Sequence, residues 1–502
     1  MSINRRDFAC STLARMGALT GLAGGVPSTW AQDRQRAVTL SLSLEVDSLD
    51  PTTSASASIG ELVHYNVFEG LTKIEESGNT SPLLAASWER SPDGRRYTFA
   101  LREGVQFHDG SPFDAAAVKF SFERAKAPGS ANKAKKVLFD NIASISTPDA
   151  HTVVLTLHNP DANVLFRLGE NTAVILHPRS AAQAATQPVG TGPYRFERWQ
   201  KGWGVTLVKS AGFRQAAQVQ IPQVTFRFIN DPQAQAAAVL SGEVDMLFNI
   251  AVQTVQQFQS NSQYLVLVGS SSGKGMLAIN NKRKPLDDVR VRRAITHAID
   301  REAFITRVLG GRAKAIGSHF SPTEAGYVHL AGLYPYDPQR SRALLKAAGV
   351  KLPLVLGLTL PPTPYARNDR AFMVDALAQI GVQVRIEEVT WPEWLAGTFK
   401  GQFDLTVINH VEPLDYHIYA DPQYYFGYDS PAFRALVARH AASHTARERQ
   451  LLFADLQRHL ADDAVNAWIY AAQITTVARK GIKGWWMNYP IFAHDIAALR
   501  WE

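Results

Sequence analysis

The chain has 502 residues, 46% of them hydrophobic and 19% charged. That is too long for one ordinary domain of roughly 100–200 residues and apolar enough for several packed cores. Of the formal net charge of +7, Arg5, Arg6 and Arg15 against Asp7 place two charges in the first 31 residues. The remaining Lys and Arg are scattered, without the runs that track a nucleic-acid backbone. The single cysteine, Cys10, also falls in that opening stretch, which excludes disulfides and thiol catalysis from the rest. Beyond residue 31 no stretch reaches the roughly 18 consecutive apolar residues of a membrane span.

Residues 1–31 read as an export signal. Asn4-Arg5-Arg6-Asp7-Phe8 resembles a twin-arginine motif, 16–26 is a weakly apolar, glycine-rich run, and Thr29-Trp30-Ala31 ends on small residues at −3 and −1. Cys10 precedes the apolar run and does not sit in a lipobox. Next, 37–44 alternates as a half-buried strand. Residues 59–71 carry Leu62, Val63, Val67, Phe68 and Leu71 at helical spacing. The block 82–125 follows, with turns at Ser91-Pro92-Asp93-Gly94 and His108-Asp109-Gly110, a strand over 97–101 and a helix capped by Asp114. His108 has no second His or Cys near it in sequence and reads as a turn residue. Strands are predicted at 151–157, 194–196 and 224–229, a short helix at 164–167, and a helix at 233–241 capped by Asp231-Pro232. Gly190-Thr191-Gly192-Pro193 suits a tight turn. It is not a phosphate loop, because no helix follows it.

Gly269-Ser270-Ser271-Ser272-Gly273 fits G-x-S-x-G and raises an exported serine hydrolase with Ser271 as nucleophile. That chemistry needs a helix directly after the motif, whereas Lys274-Gly275 leads into the apolar run 276–279. A helix follows from about 289, with Val289, Val291, Ala294, Ile295, Ala298 and Ile299 on one side and Arg290, Arg292, Arg293 and Arg301 mostly on the other, ending at Gly310-Gly311. Asp337-Pro338 starts another helix. The alternation of strand 352–360, helix 370–380 and strand 382–389 implies an α/β unit with a largely parallel sheet. Residues 432–467 read as helical and 468–477 as a strand. Of the adjacent Trp485 and Trp486, one packs and the other is free to reach a cleft.

The segment 406–430 concentrates chemistry. It leaves the carboxyl end of a strand, where α/β sheets place ligands. It holds Asn409, His410, Glu412, Asp415, Tyr416, His417 and Tyr424 among further aromatics, a mix in which rings give walls and a few polar groups fix orientation. His410 and His417, seven apart, make a metal chelate a second candidate ligand.

Several blocks carry a resemblance: "SLDP…VFEGL" from Ser48, "SPDG–YTF-LREGV-FHDG-PF" in 91–113, "GTGPY" at 190–194, "LSGEVDML" at 240–247 and "PL-DVRVRRAITHAIDR" at 285–301. Together they resemble the extracellular solute-binding proteins of ABC transporters, family 5, whose members include dipeptide-, oligopeptide-, glutathione- and nickel-binding proteins. The resemblance implies an α/β, two-lobed periplasmic-binding-protein fold of type II, similar to cluster C, with an extra subdomain in lobe one. The expected division is 32–75 in lobe one, 76–187 as the extra subdomain, 188–283 in lobe one, 284–474 as lobe two and 475–502 returning to lobe one, with hinges near Asn280 and Ala478. It implies a non-catalytic periplasmic monomer without cofactor that closes on a short peptide or peptide-like solute and docks on an ABC permease. In peptide-binding relatives an acid of the 406–430 region pairs with the ligand's α-ammonium. Glu412 is the first choice for it here and Asp415 the second, with Asn409, His410, Tyr416, His417, Trp391, Trp394 and Ser54 as further lining residues.

Overall fold

In a computed structural model, the described residues are 37–502 apart from Ala55, Val252, Gln253, Asn368 and Asp369; the export-signal reading falls outside them. One mixed sheet of eleven strands runs through the molecule. At one end, Ala37–Leu42 lies parallel to Gln223–Phe228 and to Met246–Leu247, and Gly204–Lys209 and Tyr194–Gln200 extend the sheet antiparallel. At the other end, Leu354–Leu360 lies parallel to Val382–Glu388 and Leu405–His410. Two long antiparallel strands, Tyr264–Ile279 and Ala467–Arg479, join the ends. Because Leu405–His410 meets Tyr264–Ile279 antiparallel, the second sheet region is mixed rather than largely parallel.

The apolar side chains divide into separate cores on either side of that passage. Val38, Phe226, Trp486 and Ile491 share the first. Leu277, Ile295, Leu358, Leu405 and Ile469 share the second, backed by an aromatic-rich layer with Phe320, Trp394, Tyr419, Tyr425 and Trp468. The two long strands lose register between Ser270 and Lys274. The crossing therefore lies several residues before Asn280 and Ala478, both of which sit inside regular packing. A further core belongs to a four-stranded antiparallel sheet (Ala85–Arg90, Arg96–Leu101, Thr152–Leu157, Ile142–Asp149) covered by the helix Ala115–Lys126. Asp114 caps that helix by accepting from the Ala117 amide.

Some local expectations are corrected. The helix expected over 59–71 stops after Val63, since Tyr65 takes φ 63°. Asn66 then donates to the carbonyls of Leu62 and His494, which ties the chain into a turn that apolar spacing did not reveal. The helix from 289 is two helices, Val289–Ala298 and Arg301–Val308, the second capped by Asp300. Arg292 and Arg301, expected outside, are buried. Arg292 donates to the carbonyls of Leu286, Asp287, Asp463 and Ala464, and Arg301 to those of Trp468 and Tyr334. The helical stretch from 432 breaks into Pro431–Ala442 and Ala446–Asp462.

Gly190 and Gly192 pass so close to the backbone of Asn66 and Val67 that a Cβ would come within 1.9 Å of the Val67 oxygen and 2.4 Å of the Asn66 oxygen. His108 bridges the same segment, its Nε2 2.9 Å from the Gly192 carbonyl and its Nδ1 accepting from the Gly190 amide. That is a structural turn histidine, and burial pushes its pKa down to about 4.

Candidate functional site

Between the first core with its extra subdomain and the second core lies a cleft of about 490 Å³. One wall comes from the subdomain, the turn after Val63 and the C-terminal segment: His64, Lys133, Val137, Arg167, Glu170 and Phe492. The other comes from the carboxyl end of Leu405–His410 and the loop after it: Ile408, Asn409, His410, Glu412, His417 and Tyr424, with Trp394 and Phe399 alongside. Away from the cleft floor the walls also touch. Arg90 donates to the carbonyls of Ser443 (2.8 Å) and Ala441 (3.3 Å), and Asn163 donates to the Tyr416 hydroxyl at 2.9 Å.

The loop 411–415 is held from beneath by buried charge. Lys274 lies on the long strand just past its register break and is fully buried. Its Nζ donates to the Glu412 carbonyl at 2.6 Å and lies 3.2 Å from Asp415 Oδ1. Burial disfavours the ammonium, but the carboxylates of Asp415 and Glu324 outweigh it and raise its pKa. Glu324 accepts from the amides of Leu414 (2.6 Å) and Ser321 (2.8 Å), which secures Leu414 at φ 53°. Two histidines complete the cluster. His319 Nε2 stands 2.8 Å from Asp415 Oδ1 and His410 Nδ1 3.3 Å from Oδ2.

Burial lowers the pKa of His319 to about 3. The neutral ring then donates from Nε2 and accepts at Nδ1 from the Tyr419 hydroxyl (2.9 Å). Burial works against an Asp415 carboxylate, but His319, Lys274 and the His410 hydrogen bond together hold its pKa well below the usual range. The ligand atoms of His319, His410 and Asp415 come within 4.8 Å of one another. Lys274 already supplies the positive charge there, so a metal ion would have to displace a buried ammonium. His410 is engaged on both nitrogens, with Nε2 2.9 Å from the Tyr425 hydroxyl. The expected pair of His410 and His417 is therefore not arranged as two open ligands.

Of the residues expected from sequence, Asn409, His410, Glu412, Asp415, His417 and Trp394 line the cleft. Glu412 presents an exposed side chain, whereas Asp415 points into the Lys274 cluster. Tyr416 is buried against Asn163 and His440 instead. Trp391 is 39% exposed, outside the lining, and stacks edge-on against Trp394. Ser54 bonds the Asp47 carboxylate. Trp485 and Trp486 face a small internal void rather than the cleft. The Ser271 hydroxyl donates to the Ala472 carbonyl at 2.7 Å from within a continuous strand, which is not the strand-to-helix elbow a nucleophile requires.

The profile of the bacterial extracellular solute-binding proteins, family 5, matches residues 79–430. The chain belongs to this family. It is 30% identical over 382 residues to the glutathione-binding protein GsiB of Salmonella typhimurium (strain LT2), covering 74% of this chain and 72% of that protein. Among solved structures it is similar to the periplasmic binding protein DppA of Helicobacter pylori in complex with the peptide STSA, with TM-score 0.76, 25% identity, and 95% and 100% of the two chains covered. HbpA2 of Haemophilus parasuis superposes with TM-score 0.84 at 20% identity, covering 93% and 100%, which speaks to the fold. The two-lobed fold expected from the sequence is thus shown, as is the role of a family 5 member, the solute-capturing component of an ABC importer that works with a permease. Among the described residues no helix is long and apolar enough to cross a membrane.

Sequence reasoning passed over Lys274, His319 and Glu324 beneath the loop, and Lys133, Arg167 and Glu170 on the facing wall. A lysine just before the apolar run 276–279 was the one available signal for the first group. For the second there was none, because surface charges on helices and turns carry no pattern that tells a cleft from bulk solvent.

Proposed function

We propose that this family 5 member captures a short peptide or peptide-like amphiphile in the periplasm, which it reaches through the twin-arginine route, and delivers it as a monomer to its permease without catalysing a reaction. The observation that carries the reading is the exposed Glu412 carboxylate, on a loop fixed by Lys274 and Glu324 and beside an aromatic wall of Trp394, Phe399 and Tyr424. A preorganised acid next to apolar rings suits an α-ammonium followed by side chains of varied shape. Asp415 is already neutralised by Lys274, which leaves Glu412 for the ligand. Asn409 and His417 support the same use, since the Asn409 Oδ1 and the His417 Nδ1 are buried without a partner among the described residues. The glutathione-binding relative and the peptide held by DppA are in keeping with this solute class.

Native mass spectrometry of protein isolated from its own periplasm tests the reading. A released short peptide is expected, with affinity for it falling roughly 10- to 150-fold in Glu412→Gln, the loss of a charged hydrogen bond of about 1.5–3 kcal/mol. A co-purifying solute without an amino group, or a metal chelate held equally well by Glu412→Gln, overturns it.

A further inference from the structure

The facing wall of the cleft carries charges that the reading above leaves unused. Glu170 follows the short helix Val164–Arg167 of the extra subdomain and lines the cleft half-exposed. Among the described residues its carboxylate accepts no hydrogen bond. Burial raises its pKa, opposed by Arg167 and Lys133 and reinforced by Glu412. Two carboxylates, one from each side, therefore face the same space. Lys133 is exposed, lines the cleft and forms no ion pair among the described residues. Arg167 bonds Asp161 through Nε at 3.2 Å, and its terminal nitrogens carry no hydrogen bond among the described residues.

Like charges across a narrowing cleft repel. A cation between them turns that repulsion into two attractions, and the partly desolvated setting makes both stronger than in water. The neighbouring ammonium and guanidinium, lacking full partners, fit an anionic group in the same cleft. The arrangement is thus amphoteric, and it is built from both sides of the cleft.

Resting on the peptide reading, we propose that Glu170 is a second ammonium-binding residue, closing on the ligand's amino group opposite Glu412, and that Lys133 takes a ligand carboxylate. The solute class is then narrowed to short peptides or peptide-like zwitterions that keep both a free ammonium and a free carboxylate. Glu170 and Lys133 act in specificity rather than in folding, since neither joins a buried hydrogen-bond network.

The test uses the full mature chain and three probes: an equimolar tripeptide library, the same library N-acetylated, and the same library C-amidated. Binding is read by thermal-shift titration and by native mass spectrometry. Glu170→Gln is expected to weaken the free and amidated libraries by tenfold or more and to leave the weak binding of the acetylated library unchanged. Lys133→Gln is expected to weaken the free and acetylated libraries and to spare the amidated one. Equal losses on all three probes would mark a structural role and overturn the inference, as would a Glu170→Gln protein that binds the free library within twofold of wild type. Either result leaves peptide binding itself standing. Wild-type protein that binds none of the three removes the peptide reading, and this inference with it.

Discussion

Replacing Lys274 by methionine isolates the charge beneath the ligand loop. The side chain is fully buried, 3.2 Å from Asp415 Oδ1 and 2.6 Å from the Glu412 carbonyl. Methionine keeps the volume and removes the ammonium. Asp415 is then a buried carboxylate without its ammonium partner, a situation that costs about 3–5 kcal/mol. The lost bond to the Glu412 carbonyl adds about 1 kcal/mol. With a denaturant slope of about 3 kcal/mol/M, the urea midpoint at pH 7 should fall by about 1.3–2 M.

The pH dependence carries a definite sign. In the wild type the folded pKa of Asp415 is depressed, so its contribution is fully present above the unfolded value near 4 and is lost only below that. In the variant, burial acts without the ammonium and the folded pKa rises above the unfolded one. Its stability then drops as pH rises from about 4, and the gap to wild type narrows as pH is lowered from 7 to 4.5. Urea unfolding followed by circular dichroism at those two pH values measures this. The double variant Lys274→Met/Asp415→Asn removes both members of the closest pair and leaves Glu324 as the remaining buried acid, held by the amides of Leu414 and Ser321; it should recover part of the loss. A single variant within about 1 kcal/mol of wild type, with no narrowing in acid, would refute the claim that the ammonium holds the loop.

Truncating Trp394, which is 4% exposed and bonded through Nε1 to Thr406, to alanine should cost about 3–5 kcal/mol in thermal unfolding, whereas Trp391→Ala, at a half-open surface, should stay within about 0.5 kcal/mol. Arg90→Ala removes the bonds to the carbonyls of Ala441, near the end of the helix Pro431–Ala442, and of Ser443 just after it. It should speed ligand release and raise the radius of gyration in X-ray scattering while moving the melting temperature little; an unchanged release rate would mean that these contacts do not hold the two sides together. Burial lowers the pKa of His64, His319 and His494 to about 3. The unfolded chain binds those protons near pH 6.5, so stability is full above that value and lost as pH falls through the window from about 6.5 to 3. Melting temperatures should drop steadily from pH 7 to 5, less steeply in His494→Phe, and a flat profile would count against neutral burial of these rings. Ser271→Ala should leave ligand affinity within twofold, since its hydroxyl meets only backbone groups, the Ala472 carbonyl and the Gly273 amide.

What could be read from the sequence was what the backbone period and its capping residues carry. Asp114, Asp231 and Asp337 each accept from an amide at the start of a helix, as their positions before apolar periodic runs implied. The loop after Leu405–His410 lines the cleft because strand ends open there, which is a property of α/β topology and not of its side chains. The failures share a physical cause. The run 59–71 has helical spacing, but the side-chain hydrogen bonds of Asn66 decide where the helix stops, and their partner His494 lies 428 residues away. Arg292 looked like a solvated arginine because its partners are carbonyls of the distant turn at 463–464.

Asp415 and Glu412 could not be separated from sequence for the same reason. Both are acids in one loop, and only the position of Lys274 on a different strand leaves one buried in an ion pair and the other exposed. Ligand recognition depends on which charges remain unpaired after folding. That remainder is set by long-range pairing, so a local pattern can locate the cleft without telling which of its acids a ligand will meet.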